Sequence, residues 1–362
     1  MKLNPLLALI LTGFSLSAQA GYFTEREDVQ AFIHEVSQRQ GIPGDELEQA
    51  LESATPLPRV IELVKPPANP GVRSWQRYRA RFIDATRIKG GLQFWQDNAS
   101  LLNEAEARSG VPAEIIVSLI GVETVYGRNT GNFSALSALA TLAFDYPPRA
   151  SLFRRELEAL FVLAREQNRP VQDYRGSYAG ALGLPQFLPS SIRNFAVDGD
   201  GNGQVELSTS RADAIFSVAN FLLKHGWQAG GPIVMPARIE DEIQARALVD
   251  AGIKPALDAQ ALAASGVVSK LQPDSPELIT FVDLITPGVG TEYWLGFQNF
   301  YVITRYNQSS FYAMVVHDLA QELKAARQAQ ASGTTLPAAS KAPAKQRAKH
   351  PRTKKPAKPQ RG

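Results

Sequence analysis

The sequence predicts a mainly α-helical protein of the α+β class, in which a small strand-bearing part interrupts a helical body. Apolar residues recur at the 3.6-residue spacing of helices along most of the chain. Alternation typical of strands occurs only late, over residues 277–284 and 299–304. With 362 residues, of which 44% are hydrophobic, the chain can bury a large core.

The predicted helices can be followed along the chain. The first begins soon after Gly21, and its apolar face carries Val29, Phe32, Ile33 and Val36. Prolines are then frequent between residues 56 and 70, which predicts an extended or turning segment through Val64-Lys65-Pro66-Pro67. Helical spacing indicates further helices over residues 75–83, 91–106, 112–124, 131–143, 152–166 and 311–327.

The first twenty residues have the three parts of a cleavable secretory signal. Lys2 precedes a mainly apolar run over residues 6–16, and Ala18-Gln19-Ala20 is a small-x-small cleavage sequence before Gly21. The apolar run is too short to cross a bilayer comfortably. We therefore expect a secreted protein; the alternative is an uncleaved anchor.

Cysteine is absent, which excludes disulfides and also lipidation at an N-terminal cysteine. A cysteine-free secreted domain of this size fits a bacterial envelope better than a eukaryotic secretory route. The four histidines lack the spacing of metal ligands to one another; they are His34, His225, His317 and His350. A zinc hydrolase is therefore not expected.

The C-terminal tail from Ala331 differs in charge from the rest of the chain. It has nine basic and no acidic residues, so removing these nine from the 38 basic residues leaves 29 against 35 acidic ones. The tail is rich in alanine and proline and has few large apolar residues, which predicts a disordered basic segment. It is suited to contact anionic envelope polymers or lipid headgroups; the alternative is a tail that only increases solubility.

Glu123 carries the strongest chemical signal. It lies in an almost continuous apolar run after Pro112, and helical periodicity puts it on one face with Leu119 and Ile120. Desolvation on such a face favours the protonated carboxyl, so Glu123 is a candidate proton donor at a helix end. The alternative is a helix-end glutamate paired with Arg128.

A second signal resembles the first half of an EF-hand loop. Oxygen-bearing side chains stand at its first, third and fifth positions and glycine at its sixth. The candidate ligands of a structural Ca²⁺ are Asp198, Asp200, Asn202, Gln204 through its backbone carbonyl, and Asp213. Asp213 is included because Thr209 stands where the last glutamate is usual. The alternative is a run of Asx turns, and no cofactor is expected for catalysis.

Several short motifs are spread between residues 25 and 325 of the chain. They are Gly121-Val122-Glu123-Thr124-x-x-Gly127-Arg128, Tyr78-Arg79-x-x-Phe82-Ile83, Tyr146-Pro147-x-Arg149-Ala150, Gly176-Ser177-x-Ala179-Gly180-Ala181-x-Gly183, Gln186-Phe187-x-Pro189-Ser190-Ser191, Ser217-Val218-Ala219-Asn220, and Asn299-Phe300-Tyr301-x-Ile303-Thr304-Arg305-Tyr306-Asn307. With them the chain resembles the lytic murein transglycosylase B family. The resemblance implies a lysozyme-like helical core with flanking helical and strand-bearing subdomains. It also implies cleavage of peptidoglycan between N-acetylmuramic acid and N-acetylglucosamine, leaving a 1,6-anhydro sugar in cell-wall remodelling and turnover.

The resemblance also implies roles for single residues. Glu123 would be the only catalytic carboxyl, with Ser177 and Gln186 near the reacting sugar. The glycan groove would be lined by Tyr78, Arg149, Tyr306, Asn307 and Tyr312. Two departures stand out: Phe221 occupies a position where the family often has tyrosine, and the segment between Leu207 and Asp213 is one residue longer than in the family pattern.

Two alternatives to a transglycosylase stay open at this point, a hydrolysing muramidase and a non-catalytic peptidoglycan-binding scaffold. The expected location is the periplasm, with glycan strands as substrate, cell-wall synthases as candidate partners and no nucleic acid. The expected divisions are 1–20 signal peptide, 21–90 helical subdomain, 91–231 catalytic core, 232–298 small β-containing subdomain, 299–330 strand and helix completing the core, and 331–362 basic tail.

Overall fold

Helices build most of residues 21–66 and 73–332, the part of the chain that the computed structural model describes. Within these ranges the helices are α1 (Glu27–Gln40), α2 (Gly44–Glu52), α3 (Pro58–Val64), α4 (Trp75–Arg79), α5 (Ala85–Asp97), α6 (Ala99–Ser109), α7 (Ala113–Thr124), α8 (Ala135–Asp145), α9 (Ala150–Glu166), α10 (Pro189–Phe195), α11 (Arg211–Lys224), α12 (Glu242–Asp250), α13 (Ala259–Ala264), α14 (Gln298–Tyr306) and α15 (Ser310–Ala331). The strands are β1 (Phe133–Ser134), β2 (Arg175–Gly176), β3 (Val234–Arg238), β4 (Val268–Ser269), β5 (Thr280–Thr286) and β6 (Gly290–Gly296). The predicted mainly α-helical class is confirmed.

α7 lies at the centre of the core. Of its 12 residues all are buried except Glu123, as expected for a helix that is apolar on nearly every side. α5, α6, α11 and α15 pack around it. The buried hydroxyl of Ser118 is satisfied by donating a hydrogen bond to the Val316 carbonyl at 2.6 Å. α7 is therefore a fixed support for the one side chain that it leaves partly exposed.

A second layer of helices forms around α8. α9 and α3 pack on it, and its buried hydroxyls hold the segment that leads from α2 to α3. Ser137 accepts a hydrogen bond from the Thr55 N–H at 3.1 Å, and Thr141 accepts one from the Leu57 N–H at 2.9 Å. These bonds satisfy backbone groups of a connecting segment that has no ladder of its own. They fix the N-terminal helices to the core.

The larger sheet is antiparallel with the strand order β4-β3-β6-β5. It has its own apolar cluster, in which Phe281 and Leu295 are paired across β5 and β6. β5 also contacts α4 and α15. The smaller sheet pairs only β1 with β2, with Phe133 opposite Gly176. β1 follows the end of α7 in the chain after a short turn-rich segment.

Three predicted elements differ from the structure. Residues 299–304 were expected to form a strand and instead lie in α14, where Asn299, Phe300, Ile303 and Thr304 are all buried. Because α14 is buried on most of its sides, Phe300 and Val302 are both buried although they are two residues apart, and this spacing imitated the alternation of a strand. The segment 75–83 is helical only to Arg79, and the segment 91–106 is divided between α5 and α6 near Asn98. The strand expected within residues 277–284 is confirmed as β5 from Thr280.

Two expected segments fall outside the described residues, the signal peptide (1–20) and the basic tail beyond Ser332. In the part of the chain that is described, no helix is both long enough and apolar enough to span a membrane.

Candidate active site

The carboxyl of Glu123 stands at the C-terminal end of α7, partly exposed above a buried helix. Burial raises its pKa from the usual 4.5 to about 7. The hydroxyl of Tyr312 opposes this effect by donating a hydrogen bond to Oε1 at 2.5 Å. Among the described residues no second carboxyl contributes to the raised pKa. Glu123 is therefore a lone acid that holds its proton near neutral pH.

Aromatic rings surround this carboxyl on the side of α14 and α15. Tyr312 is only 3% exposed, and its ring stacks on that of Tyr306 with centroids 6.4 Å apart and planes 16° from parallel. The Tyr306 hydroxyl donates to the Pro185 carbonyl at 2.6 Å. Burial raises the pKa of both hydroxyls, and the nearby charge of Glu123 raises it further. Both phenols therefore stay protonated and act as hydrogen-bond donors.

Tyr78 lies on the α4 side of the same carboxyl. Burial raises the pKa of its hydroxyl, and the charge of Glu123 is the second cause. Its ring packs against Phe311 with centroids 5.6 Å apart and against Phe82 at 5.2 Å. Of the tyrosines expected in the groove, Tyr78, Tyr306 and Tyr312 are thus brought together around Glu123.

Ser177 and Gln186 lie in the turns that follow β2. The Ser177 hydroxyl accepts hydrogen bonds from the N–H groups of Ala179 and Ala181 at 3.3 and 3.1 Å. Gln186 has a left-handed backbone (φ 52°), and its amide nitrogen donates to the carbonyls of Thr130 and Gly183 at 3.0 and 2.9 Å. Left-handed backbone is uncommon for a residue other than glycine. Both side chains are therefore held in fixed orientations by local backbone groups.

Thr124 joins these turns to α7. Its buried hydroxyl donates to the Leu184 carbonyl at 2.9 Å and accepts from the Gly127 N–H at 3.0 Å. A close approach of backbones continues this contact, because a Cβ on Gly131 would overlap the carbonyl of Gly176. The loop that carries Ser177 and Gln186 is thus fastened to the residue next to Glu123.

Two expected groove residues are not tied to this cluster. Arg149 is exposed, with its guanidinium 5.2 Å from the centroid of the Phe153 ring. Asn307 is exposed at the end of α14. In the described part of the chain, neither has a polar contact with Glu123 or the three tyrosines. Their roles in the groove stay predictions.

The structure also answers two questions raised by the sequence, the pairing of Glu123 with Arg128 and the role of Phe221. Within the described residues, Glu123 forms no ion pair with Arg128, so the helix-end pairing considered from sequence is absent. Phe221 is buried, and its ring centroid lies 4.8 Å from that of Tyr306 and 5.5 Å from that of Phe187. At this position the phenylalanine ring packs edge-on against Tyr306 and has no hydroxyl.

The EF-hand-like loop brings its acids together. Asp198, Asp200 and Asp213 each offer a carboxylate oxygen, and these oxygens lie within 4.8 Å of one another. Asp198 accepts hydrogen bonds from the N–H groups of residues 201–203, which lower its pKa. The side chain of Asn202 accepts from the Gln204 N–H at 2.8 Å. Thr209 has turned away to donate to Glu206 at 3.0 Å.

Asp213 binds backbone groups at two points of this loop. It is 0% exposed, and its two oxygens accept from the N–H groups of Gly199 at 2.9 Å and Glu206 at 2.6 Å. The Ser210 hydroxyl caps α11 by accepting from the Asp213 N–H at 3.1 Å. The extra residue between Leu207 and Asp213 therefore does not prevent Asp213 from reaching the other two carboxylates.

Two residues next to Glu123 were given no role from the sequence, Thr124 and Tyr126. Thr124 belongs to the quoted motif around Glu123 and Tyr126 stands at one of its unspecified positions; the contacts of both depend on backbone geometry that periodicity does not reveal.

The chain is similar to known proteins over most of its length. The profile of the family described as Transglycosylase SLT domain matches residues 24–321. The chain is 38% identical over 330 residues to the membrane-bound lytic murein transglycosylase B of Escherichia coli (strain K12), covering 87% of this chain and 89% of that protein.

Solved structures of similar proteins have the same fold. The soluble lytic transglycosylase SltB1 from Pseudomonas aeruginosa is 44% identical, with a TM-score of 0.77 and coverage of 83% of this chain and 99% of that one. The Escherichia coli lytic transglycosylase Slt35 in complex with calcium is 36% identical, with a TM-score of 0.75 and coverage of 86% and 96%.

Proposed function

This chain belongs to the Transglycosylase SLT domain family, and we propose that Glu123 is the one acid and base of its reaction. The protein is a lytic murein transglycosylase, which cleaves the β-1,4 bond between N-acetylmuramic acid and N-acetylglucosamine and leaves 1,6-anhydromuramic acid. The observation that carries the proposal is a single, partly buried carboxyl whose pKa is raised to about 7. A group with that pKa can both give and take a proton near neutral pH.

In the first step, protonated Glu123 donates its proton to the glycosidic oxygen. The bond between that oxygen and the anomeric carbon of N-acetylmuramic acid breaks, and the carbonyl oxygen of the sugar's own N-acetyl group bonds to the anomeric carbon. The Tyr312 hydroxyl, 2.5 Å from Oε1, stabilises the carboxylate that forms. The buried surroundings favour the protonated form at the start of this step.

In the second step, the carboxylate of Glu123 takes the proton of the C6 hydroxyl of the same sugar. The C6 oxygen bonds to the anomeric carbon, and the N-acetyl oxygen leaves it. Glu123 is then protonated again, and no water has been consumed. A second carboxylate is unnecessary, because the substrate supplies both nucleophiles.

Hydrolysis is the competing chemistry. Glycosidases that add water use two carboxylates, about 5 to 9.5 Å apart, one of them as nucleophile or as the base that activates water. The raised pKa of Glu123 has no contribution from a second acid among the described residues. This observation favours the transglycosylase route, and a scaffold without activity has no use for a desolvated acid.

The side chains around Glu123 are suited to hold the two sugars. We assign Ser177 and Gln186 to the reacting sugar, with Ser177 at its N-acetyl group. Tyr78, Tyr306 and Tyr312 offer rings to the apolar faces of the sugars, and Arg149 and Asn307 are assigned to the outer groove. The hydrogen bonds that already hold Ser177 and Gln186 reduce the entropy lost when substrate binds.

We also assign a structural Ca²⁺ to the loop of Asp198, Asp200, Asn202, Gln204 and Asp213. Ca²⁺ binds oxygen at about 2.3 to 2.6 Å, so two of its ligand atoms are at most about 5 Å apart. The carboxylate oxygens of the three aspartates are within 4.8 Å of one another. The calcium complex of Slt35 supports the assignment. Bound there, the ion would neutralise the acidic cluster and link the loop to α11. It would take no part in the proton transfer.

The setting that we propose for this reaction is the periplasm, reached through the signal peptide of residues 1–20. The substrate is the peptidoglycan glycan strand, and cell-wall synthases and anionic envelope polymers or lipid headgroups are proposed partners. The proposed divisions of the folded part are a helical subdomain (21–90), a catalytic core (91–231) and a β-containing subdomain (232–298). The core is completed by residues 299–330, which are helical.

Mass analysis of the muropeptides released from purified sacculi tests the function. We expect products ending in anhydromuramic acid, which are lighter by one water than those of a hydrolysing muramidase digest of the same sacculi. A product mass equal to that of the hydrolase digest would overturn the transglycosylase mechanism. No release from sacculi or from shorter soluble glycans would favour the scaffold.

A further inference from the structure

The chain that follows Glu123 has an unusual backbone. α7 ends in a Schellman-like turn, with the Tyr126 N–H donating to the Ile120 carbonyl at 3.4 Å. Glycine is usual at the left-handed position of such a turn. Here Val125 (φ 52°, ψ 50°) and Tyr126 (φ 61°) are both left-handed, and Gly127 follows at φ 90°. A left-handed β-branched residue is strained, so other contacts must hold this turn in place.

The side chain of Tyr126 supplies one set of these contacts. It is 7% exposed and lies between α5 and α7, where both helices have glycine. A Cβ on Gly121 would stand 2.5 Å from the Tyr126 hydroxyl oxygen, and one on Gly91 would also overlap it. The hydroxyl donates to the Arg87 carbonyl at 2.9 Å, and the ring lies 5.6 Å from that of Phe94. The phenol therefore fills a slot that only glycines leave open.

Backbone groups near Tyr126 are fastened as well. Arg211, the first residue of α11, donates to the Tyr126 carbonyl at 3.1 Å. Arg87 donates through Nε to the Gly121 carbonyl at 3.2 Å, at the open end of α7. With the bonds of Thr124 described above, the turn is held from α5, α11 and the loop after β2. Such over-determination is what allows strain to persist.

The strain is concentrated at the active site. Among the described residues, four other than glycine have positive φ, namely Val125, Tyr126, Asn168 and Gln186. Three of these four belong to the two segments that Thr124 joins beside Glu123. An ordinary helix end would need no such strain. Because the strain lies next to Glu123, we relate it to the orientation of the Glu123 carboxyl.

We propose that Tyr126 is a positioning residue, whose buried phenol holds the left-handed turn and thereby directs the Glu123 carboxyl toward Tyr312 and the scissile bond. This inference rests on the proposed role of Glu123. It assigns Tyr126 no contact with substrate. A displacement of about 1 Å in a catalytic group can lower a rate by about 10²-fold, so the anchor affects turnover through geometry alone.

The test compares Tyr126→Phe with Tyr174→Phe. Tyr174 is similarly buried (5%), and its hydroxyl donates to the Gln167 side chain at 2.6 Å, away from Glu123. Each variant loses one buried hydroxyl and keeps its ring. For Tyr126→Phe we expect kcat to fall about tenfold with KM within twofold of wild type. The alkaline limb of its pH profile should move to lower pH, because a freed carboxyl gains water and burial is the main cause of its raised pKa. Tyr174→Phe should change neither kcat nor the limb.

Melting temperatures measured on the same variants separate positioning from stability. If Tyr126→Phe and Tyr174→Phe lose similar stability and both keep wild-type kcat and pH profile, Tyr126 is only a structural residue and the inference is wrong. Glu123→Gln serves as the reference for function. Activity that survives Glu123→Gln would contradict the proposed function, whereas an inactive Glu123→Gln beside an unaltered Tyr126→Phe would contradict the positioning role alone.

Discussion

The end of α7 and the loop of residues 198–213 both hold acidic side chains beside left-handed turns, but they surround those acids in opposite ways. Glu123 receives one hydrogen bond from a side chain, that of Tyr312, and burial raises its pKa to about 7. Asp198 is half-buried and accepts hydrogen bonds from the N–H groups of residues 201–203, which lower its pKa. The first environment keeps a proton within reach, and the second favours permanent charge.

Burial alone does not separate the two regions. Asp213 is 0% exposed, more buried than Glu123, yet an N–H group points at each of its oxygens. Backbone N–H groups therefore satisfy both oxygens of the buried Asp213 carboxyl. The number of donors aimed at a carboxyl therefore separates Glu123 from the aspartates of the loop, in addition to burial.

Replacing the lone acid should have the largest effect. Glu123→Gln keeps the size of the side chain and removes the transferable proton, so we expect turnover of sacculi to fall about 10³-fold or more. Glu114→Gln is a matched control at the other end of α7, where Glu114 pairs with Lys324. It should retain activity within about twofold. Near-normal turnover by Glu123→Gln would mean that the proton donor is another residue.

The same variant tests the energetic cost of the buried acid. The pKa of Glu123 is higher in the folded protein (about 7) than the usual 4.5, so the folded state binds more protons between these values. Wild-type stability is then highest below pH 4.5 and falls as the pH rises to about 7, by at most about 3 kcal/mol at 1.36 kcal/mol per pKa unit. We expect Glu123→Gln to melt above wild type at pH 8 and level with it at pH 4.5. A difference that does not change with pH would contradict the raised pKa.

Removing the hydroxyl of Tyr312, the side-chain donor to Glu123, should raise the pKa of Glu123 further above that of Asp198. In Tyr312→Phe the carboxyl of Glu123 loses the hydrogen bond that lowers its pKa. The alkaline limb of kcat/KM should therefore move to higher pH by up to about one unit, and kcat should fall about tenfold with the lost donor. An alkaline limb that moves to lower pH, or does not move, would show that the Tyr312 bond does not act on the carboxylate.

The acid cluster of the loop should respond to calcium rather than to pH. A ligand that binds only the folded state at 100 times its Kd adds about 2.7 kcal/mol of stability, which corresponds to a rise of several degrees in melting temperature. Activity at saturating substrate should stay within about twofold. Asp198→Asn should lose the thermal shift, while Asp274→Asn, which is outside the loop, keeps it. Equal thermal shifts in both variants would remove the loop as the binding site.

The smallest effect is expected from the basic tail, which lies outside the described residues. A chain that ends at Ser332 lacks nine positive charges and should cleave soluble glycan fragments at the wild-type rate. On sacculi at low salt it should be a few-fold slower, and the difference should vanish as salt rises, since screening lengths are about 8 Å at physiological ionic strength. Equal rates on sacculi at every salt concentration would leave the tail without a role in substrate capture.

The contrast also explains what the sequence could predict. α7, Glu123 and the aspartates were found because an apolar run and a loop motif are local patterns. The helix α14 was mistaken for a strand. Six residues are too few for periodicity to show that α14 is buried against the core on most of its sides. The tie between Tyr312 and Glu123 spans 189 residues of sequence. Only the resemblance to a family placed Tyr312 in the groove, and it did not assign that bond.

The strain at Val125 and Tyr126 was beyond prediction for another reason. Neither residue type prefers a left-handed backbone, so local propensity indicates an ordinary helix end there. The glycines that admit the Tyr126 ring, Gly91 and Gly121, lie on two different helices. Functional geometry that works against local preference is visible only once the packing is known.

The β-containing subdomain has one further consequence, for how the chain can be rebuilt. Its first and last strands are neighbours, with Val234 opposite Gly296, and the Phe297 N–H donates to the Ile233 carbonyl at 3.0 Å. Asn299 binds the backbone of Gln228 on the other side of this junction, at 2.8 Å in both directions. The segment between them therefore leaves and rejoins the core at one place. Because both ends of the inserted segment meet at this junction, a replacement sheet grafted there would keep the chain ends in place, but it would also have to cover the core where Val282 and Leu284 of β5 are buried against α4 and α15.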